Sequence, residues 1–398
     1  MEYFLPQIRG KKITSVFFGG GTPSLMDPST VSTILNFLSK HADFSSSVEV
    51  TLEANPTSVE ADKFKRFKEA GVNRLSLGIQ SLIDEDLKIL GRKHNATEAL
   101  KAIETAANYF DNYSFDLIYA RPNQTLKAWE LELEQAIKLS ANHLSLYQLT
   151  IEKGTPFYKL YHDGKLPLPD QELSADMYTL TNEMLKGKEL ERYEISNYAK
   201  KGFECAHNLT YWRYNDYLGI GPGAHSRLTG QRHHEASSEE FMSFLRKQES
   251  NQHFFEASLQ IDPCFRRDDI KDGLPQSDLV LLRNDEMASN AIMMLHTPQK
   301  WLESVATKGH GIQKSTPLTE QERITEIIMM GLRIKEGINK KHFISLTSKN
   351  FEDFCNKDYL KMLIEKGFLI INDNSVVLTD EGLNLHNYII PRLITQDL

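Results

Sequence analysis

Six short runs rich in Val, Ile, Leu, Phe and Tyr alternate with stretches of helical period: Thr14–Gly19, Val48–Glu53, Arg74–Gly78, Ser114–Ile118, Leu144–Thr150 and Arg192–Asn197. This alternation constrains the fold more than any other feature, because parallel strands need a crossover long enough to hold a helix. Several helix starts are visible between the runs. Asp27-Pro28 opens one helix with Val31, Ile34, Leu35 and Leu38 on a single face. Thr57-Ser-Val-Glu60 has the capping-box pattern and leads into Phe64, Phe67 and Ala70, with Gly71 as the stop. A third helix is expected over Leu126–Leu139, apolar at Trp129, Leu133, Ala136 and Ile137.

Repeated βα units close into a barrel or open into a doubly wound sheet, and in both cases ligands bind at the carboxyl ends of the strands. Those ends carry Gly19–Thr22, Glu53 with Asn55, Gln80, Asp116 and Thr150. Taken one at a time, each has a bland explanation: Glu53 and Asp116 can cap turns, and Asn55-Pro56 is a good turn initiator. Five such groups on one rim point to a binding site. The run Gly19-Gly20-Gly21-Thr22-Pro23-Ser24 adds to this, since three glycines after a strand let backbone groups approach a ligand with no Cβ in the way.

The 398 residues are enough for a large core and for two or three domains. With 40% apolar and 25% charged residues, the composition is that of an ordinary globular chain. A net charge of −8 favours neither nucleic acid nor an anionic membrane as partner. No apolar run is long enough to span a bilayer and no signal-peptide core opens the chain, so a cytoplasmic location is expected. Cys205, Cys264 and Cys355 lie 59 and 91 residues apart, which is not metal-ligand spacing, and an odd count gives no disulfide framework. No residue is assigned a catalytic or metal-ligating role.

The region of about 247–283 has neither helical nor strand period and is expected to be a surface insert. Residues 1–230 therefore form one expected unit, 231–317 a connecting region, and 318–398 a small α+β domain. The last begins with an amphipathic helix at Thr319–Met330. Shorter elements follow at Phe351–Phe354 and Tyr359–Lys366, then a hairpin of Leu369–Ile371 and Val376–Leu378. Helices followed by a two-stranded wing give a winged-helix-like outline. Ten Lys/Arg against twelve Asp/Glu leave it without the basic surface that phosphate contacts require.

Gly19–Ser24, Leu52-Glu-Ala-Asn-Pro56, Arg74-Leu-Ser-Leu-Gly-Ile-Gln-Ser81, Gly91-Arg92 and Asp116-Leu-Ile-Tyr119 occur in an order that resembles the oxygen-independent coproporphyrinogen III oxidase branch of the radical S-adenosylmethionine (radical-SAM) proteins. Further on, Tyr193–Tyr198, His207-Asn208 with Tyr211-Trp212, and Gly219–Ser226 resemble the HemW heme-chaperone subgroup. The resemblance implies an α/β fold, a partial (β/α) barrel of radical-SAM type with a winged-helix-like domain behind it. It implies that Gly20, Gly21 and Thr22 meet the amino end of S-adenosylmethionine, that Glu53 sits near its polar groups, and that Gln80, Arg92 and Asp116 line the cofactor region. It links the His207–Trp212 segment to heme, with His207 as axial-ligand candidate against a plain hydrogen-bonded turn histidine, and His225 as a second candidate. His233-His234 reads as exposed loop.

The family also carries a [4Fe–4S] cluster on a Cys-x3-Cys-x2-Cys segment ahead of the glycines, preceded by the first barrel strand. Met1 stands eighteen residues before Gly19 and no such segment occurs in the sequence. The expectation is a barrel without its first strand, from an internal start or a decayed remnant, with an unpaired sheet edge. The leading reading is a HemW-like protein that binds heme and transfers it to an acceptor protein, with membrane association only through that acceptor. Oxygen-independent coproporphyrinogen III oxidation and an inert remnant stay open beside it, so enzymatic activity is not assigned.

Overall fold

The computed structural model describes residues 2–44, 47–57, 61, 63–229 and 289–394. The expected insert at 247–283, the His233-His234 pair and Cys264 lie outside them, as does most of the Thr57–Glu60 capping pattern. The chain divides into two compact units, Leu5–Leu209 and Met1–Phe4 with Thr210–Leu398.

In the first unit five parallel strands follow in sequence order: β1 (Ser15–Phe18), β2 (Glu49–Ala54), β3 (Arg74–Gln80), β4 (Asn112–Tyr119) and β5 (His143–Gln148). Thr51 pairs with Arg74, Ser76 with Ser114, and Asp116 with Ser145, so the register carries from strand to strand. The run read as one parallel strand at Arg192–Asn197 is instead two short strands, β6 (Glu191–Arg192) and β7 (Asn197–Ala199), paired antiparallel to each other and, through β7, to β5. The reason is local: the Glu194 carboxylate accepts from Ser196 N at 3.1 Å and from Asn197 Nδ2, which fixes a tight turn where a straight strand was expected. Among the described residues the sheet runs from β1 at one edge to β6 at the other without closing, which makes it a partial barrel.

Side chains alternate between the faces of a strand, and here the two faces differ in chemistry. Leu52, Leu75, Leu77, Phe115, Leu117, Leu144 and Leu146 are buried against the helices. The expected helices are present at Pro28–His41 and Leu126–Leu139. Asp27 caps the first by accepting from Ser29 N at 2.8 Å, and Trp129, Leu133 and Ala136 bury one side of the second. The opposite face of the sheet carries Glu49, Thr51 and Glu53, then Arg74, Ser76 and Gln80, then Ser114 and Asp116, then His143 and Ser145. Polar side chains on alternate positions of four neighbouring strands make that face a polar lining.

The second unit contains an antiparallel sheet of β8 (His225–Thr229), β9 (Ser289–Met294) and β10 (Ile312–Pro317), in the order β10-β9-β8. Tyr3, Phe4, Ala224, Met294 and Trp301 form its core. The C-terminal helix starts at Glu320 behind Thr319, which forms the capping box with Glu322. Helices Lys340–Thr347 and Lys357–Glu365 follow, and β12 (Leu369–Ile371) and β13 (Ser375–Leu378) make the expected hairpin. A two-residue strand, β11 (Ile338–Asn339), pairs on the other side of β13. Gly337 precedes it at φ 70°, where an added Cβ would stand 2.1 Å from the Val376 carbonyl oxygen, so only glycine lets the two segments meet.

Candidate functional site

Strand β1 ends in the glycine run, and Gly20 and Gly21 take φ of 85° and 60°, the left-handed region. This turns the chain sharply above the sheet. The backbone N–H of Gly20 donates to Glu53 Oε2 at 2.9 Å, tying the turn to the end of β2. One turn further, Asn55 Nδ2 donates to Thr22 Oγ1 at 3.3 Å. At Gly21 an added Cβ would meet nothing within 4 Å, so this backbone faces open space.

Gln80 ends β3 at φ 71°, a conformation that costs a residue other than glycine of the order of 1 kcal/mol. The register slips between Leu77 and Gln80, which turns the Gln80 side chain over the polar face. A Cβ on Gly78 would come 3.2 Å from Gln80 Nε2 and 3.8 Å from Asn55 Oδ1, so Gly78 leaves the room that these amides use. Behind the rim, Glu132 holds the strand end in place. It accepts from Ser81 Oγ at 2.7 Å and Leu82 N at 2.8 Å, and it pairs with Arg121 through both guanidinium nitrogens. Arg121 also reaches Asp86 at 3.0 Å.

Asp116 lies inside β4 rather than at its end, so it caps no turn and sits on the polar face. Desolvation pushes its carboxyl up to about 6, against the hydrogen bond from Ser145 and the charges of Arg74 and Arg92. Glu53 is pushed further, to about 7, by desolvation with the Asp116 charge adding to it, while the Gly20 N–H works the other way. Arg92 is exposed on the chain after β3 and acts on Asp116 by charge. The structure thus brings Gly20, Gly21, Thr22, Glu53 and Gln80 together at the strand ends, with Asp116 on the adjoining polar face and Arg92 acting on it by charge. Thr150 does not join them: it is exposed and turns its hydroxyl back to the Gln148 carbonyl at 3.4 Å, so the turn reading holds there.

His207 belongs to the first unit but is tied to a different part of the sheet. Its ring stacks on Phe17, within β1, with centroids 4.2 Å apart and planes 15° from parallel. Its backbone N–H donates to Glu49 Oε1 at 3.3 Å, and Glu49 stands at the start of β2. Burial, with the charge of Arg74, lowers the imidazole to about 3 and keeps it neutral. Cys205 is buried beside the same Glu49, and desolvation raises its thiol to about 12. Trp212, five residues on from His207, is a lining residue of a cavity of about 350 Å³ in the second unit, with Tyr214, Ile338, His342 and Phe343. His225 is half-buried at the start of β8.

Sequence reading gave no individual role to Glu49, Arg74, Ser114, His143 and Ser145 of the polar face, or to Tyr193 in the turn before β7. The signal for most of them was there, a polar side chain at every second position of an otherwise apolar strand. At the rim, backbone turned by two glycines beside a carboxylate and an amide fits the charged amino-acid end of S-adenosylmethionine. The described residues do not fit an iron–sulfur cluster, because among them no three His, Cys, Asp or Glu come together to hold a metal ion. Among the described residues, no helix is long and apolar enough to cross a membrane.

Comparison with known proteins matches residues 4–136 to the Radical SAM superfamily and residues 318–385 to the HemN C-terminal domain. Radical S-adenosyl methionine domain-containing protein 1, mitochondrial, of Danio rerio is 32% identical over 398 residues, covering 99% of this chain and 78% of its own length. The heme chaperone HemW of Bacillus subtilis (strain 168) is 31% identical over 377 residues, covering 94% of this chain and 84% of its own. Among solved structures, coproporphyrinogen III oxidase (HemN) from Escherichia coli aligns with a TM-score of 0.68 at 17% identity, over 98% of this chain and 80% of that one. The last likeness speaks for the fold alone.

Proposed function

The chain belongs to the HemW-like group of the radical SAM superfamily, and from that premise we propose that it binds heme and hands it to an acceptor protein. The observation that carries this reading is the similarity to a heme chaperone HemW over 94% of the chain. The division read from the sequence goes with it, with the barrel unit ending at Leu209 rather than about 230: a connecting region follows, and then a winged-helix-like domain from 318 that serves as a partner module rather than a nucleic-acid reader.

The rim is the proposed S-adenosylmethionine site. Backbone groups at Gly20 and Gly21 and the Thr22 hydroxyl hold its amino-acid end, and Glu53, Gln80, Arg92 and Asp116 surround its polar groups. When bound, that molecule supplies a sulfonium and a charged amino-acid end. The half-buried Glu53 and Asp116 carboxyls titrate near neutrality, so each can hold or release a proton as the charge beside it changes. Reductive cleavage is no part of the proposal, because the described residues do not fit the cluster that would supply the electron.

His207 is the proposed heme contact, with His225 as the second. Burial keeps the imidazole neutral, the form in which histidine ligates iron. The test is a hemin titration of the full chain read at the Soret band, with His207→Ala and His225→Ala beside it. Weakened uptake in His207→Ala supports the role. An unchanged band and affinity remove His207 from the site, and no uptake by the parent chain ends the heme reading. The oxidase reading is separated by incubation with coproporphyrinogen, where decarboxylation would overturn the chaperone assignment.

A further inference from the structure

The chain leaves the end of β3 at Gln80 and passes through Arg92 before it enters the long helix Ala96–Tyr109. Both ends of this excursion are tied. Its short helix, Asp84–Ile89, closes in a Schellman motif with Gly91 at φ 69°. Gly91 N–H donates to the Lys88 carbonyl at 3.0 Å, and Arg92 N–H donates to the Leu87 carbonyl at 2.8 Å. Leu87 is buried, so the motif fixes the Arg92 backbone from the N-terminal side. At the far end Asn95 and Glu98 form a capping box for the long helix. Asp84 Oδ1 accepts from Ala96 N at 2.7 Å, which draws the start of one helix to the start of the other.

Between Arg92 and that cap lies His94, buried, with Nε2 3.0 Å from the Ile79 carbonyl oxygen. A carbonyl oxygen has no proton to give, so Nε2 carries the hydrogen and donates it. That direction is the same in the neutral ring and in the charged one. Ile79 lies inside the register slip between Leu77 and Gln80 and stands next to Gln80, whose φ of 71° is held only by its surroundings. Glu132 holds the other side of Gln80 through Ser81 and Leu82. One imidazole thus joins the residue before Gln80 to the residue two places after Arg92.

We propose that His94 is a positioning residue for the rim: its Nε2–H bond to Ile79 clasps the excursion of residues 80–95 shut and so holds Gln80 and Arg92 in one fixed relation to Asp116. The glycine turn and the two carboxylates come from β1, β2 and β4, whereas the amide and the guanidinium both come from this excursion. A single clasp therefore sets two groups of the proposed S-adenosylmethionine site. The effect on the ligand rests on that reading of the rim. The clasp also has a consequence without ligand, because displacing Arg92 takes a positive charge away from Asp116. Glu53 from β2, Arg74 from β3, and Ser145 and Tyr147 from β5 also act on Asp116, and they are the same in every variant compared.

The test uses the full chain with ¹³C-labelled aspartate, the Asp116 carboxyl signal being assigned by its loss in Asp116→Asn, and S-adenosylhomocysteine as the probe ligand. His94→Ala is expected to raise the Asp116 midpoint by roughly half a pH unit and to weaken the probe roughly fivefold. Arg92→Gln raises the midpoint as much, and in that background His94→Ala no longer moves it. His94→Gln places an amide N–H where the imidazole Nε2–H stood and keeps the parent midpoint. A midpoint unmoved in His94→Ala overturns the proposal. So does a His94→Ala effect that persists in the Arg92→Gln background, or a His94→Gln variant that behaves like His94→Ala. Long-range ¹H–¹⁵N NMR of the parent histidines keeps the test open where His94→Ala does not fold: Nε2–H is expected at pH 7.5, and an Nδ1–H ring overturns the clasp. If the parent chain does not bind S-adenosylhomocysteine, the reading of the rim falls while the Asp116 titration still decides the role of His94.

Discussion

Glu53 shows how a single residue can serve two purposes. Its carboxylate ties down the glycine turn through Gly20 N, yet desolvation and Asp116 raise its pKa to about 7. In the unfolded chain a glutamate titrates near 4.5, so between about 4.5 and 7 the folded state binds the extra proton. This group therefore contributes least strain at acid pH, and its ionisation lowers stability as pH rises through that window. Glu53→Gln is expected to flatten the stability–pH curve between pH 5 and 7, by no more than about 3 kcal/mol across the whole window. Urea melts across that range check it, and a variant whose curve keeps the parent slope would show that Glu53 is not the titrating group. The buried thiols give a second check. Cys205 and Cys355 are both raised to about 12 by desolvation, so neither holds appreciable thiolate at pH 7.5. Iodoacetamide should label them in the native chain far more slowly than in urea, with peptide mapping to separate the sites.

At the scale of elements, the strand ends are held by groups that come from helices. The left-handed turn at Gln80 persists because Glu132, from the helix Leu126–Leu139, fixes Ser81 and Leu82 directly after it. Glu132→Ala removes four hydrogen bonds and leaves Arg121 buried against Asp86, its other carboxylate neighbour. A loss of about 3 kcal/mol is expected, measured by denaturant unfolding. Binding of S-adenosylhomocysteine at the rim should weaken more than in Thr125→Ala, which removes only the cap of the same helix at a cost of about 1 kcal/mol. Equal binding in the two variants would mean that Glu132 supports the fold without positioning Gln80. The antiparallel β7 belongs to this scale too. Sequence pattern could show that residues near 192–197 form strand, but not that Glu194 would bend them back upon themselves.

For the whole molecule, charge and topology decide what it can meet. The net charge is −8, and the C-terminal domain has no basic excess to release counterions from DNA. Fluorescence anisotropy with a duplex at low salt should show no binding, and a salt-dependent rise would reopen a nucleic-acid role for the winged-helix-like domain. The sequence by itself determined the alternation of the first five strands with helices, where those strands end, and the helix starts at Asp27 and Thr319. Each is a local property: a period, a cap or the last residue of a strand. What it did not reveal is the polar lining and how the lining is connected. Ser114 meets His143 across 29 residues, and His143 meets Tyr193 across 50. Such pairs are fixed by the register of β4 on β5 and by the turn before β7, and no window of sequence contains them. The tertiary structure also set the two candidate regions apart, with Gly20 bonded to Glu53 at the rim while His207 stacks on Phe17 and bonds to Glu49 at the start of β2. Hydrophobic period fixes which face of a strand is buried, but only the assembled sheet decides which polar groups then share the other face.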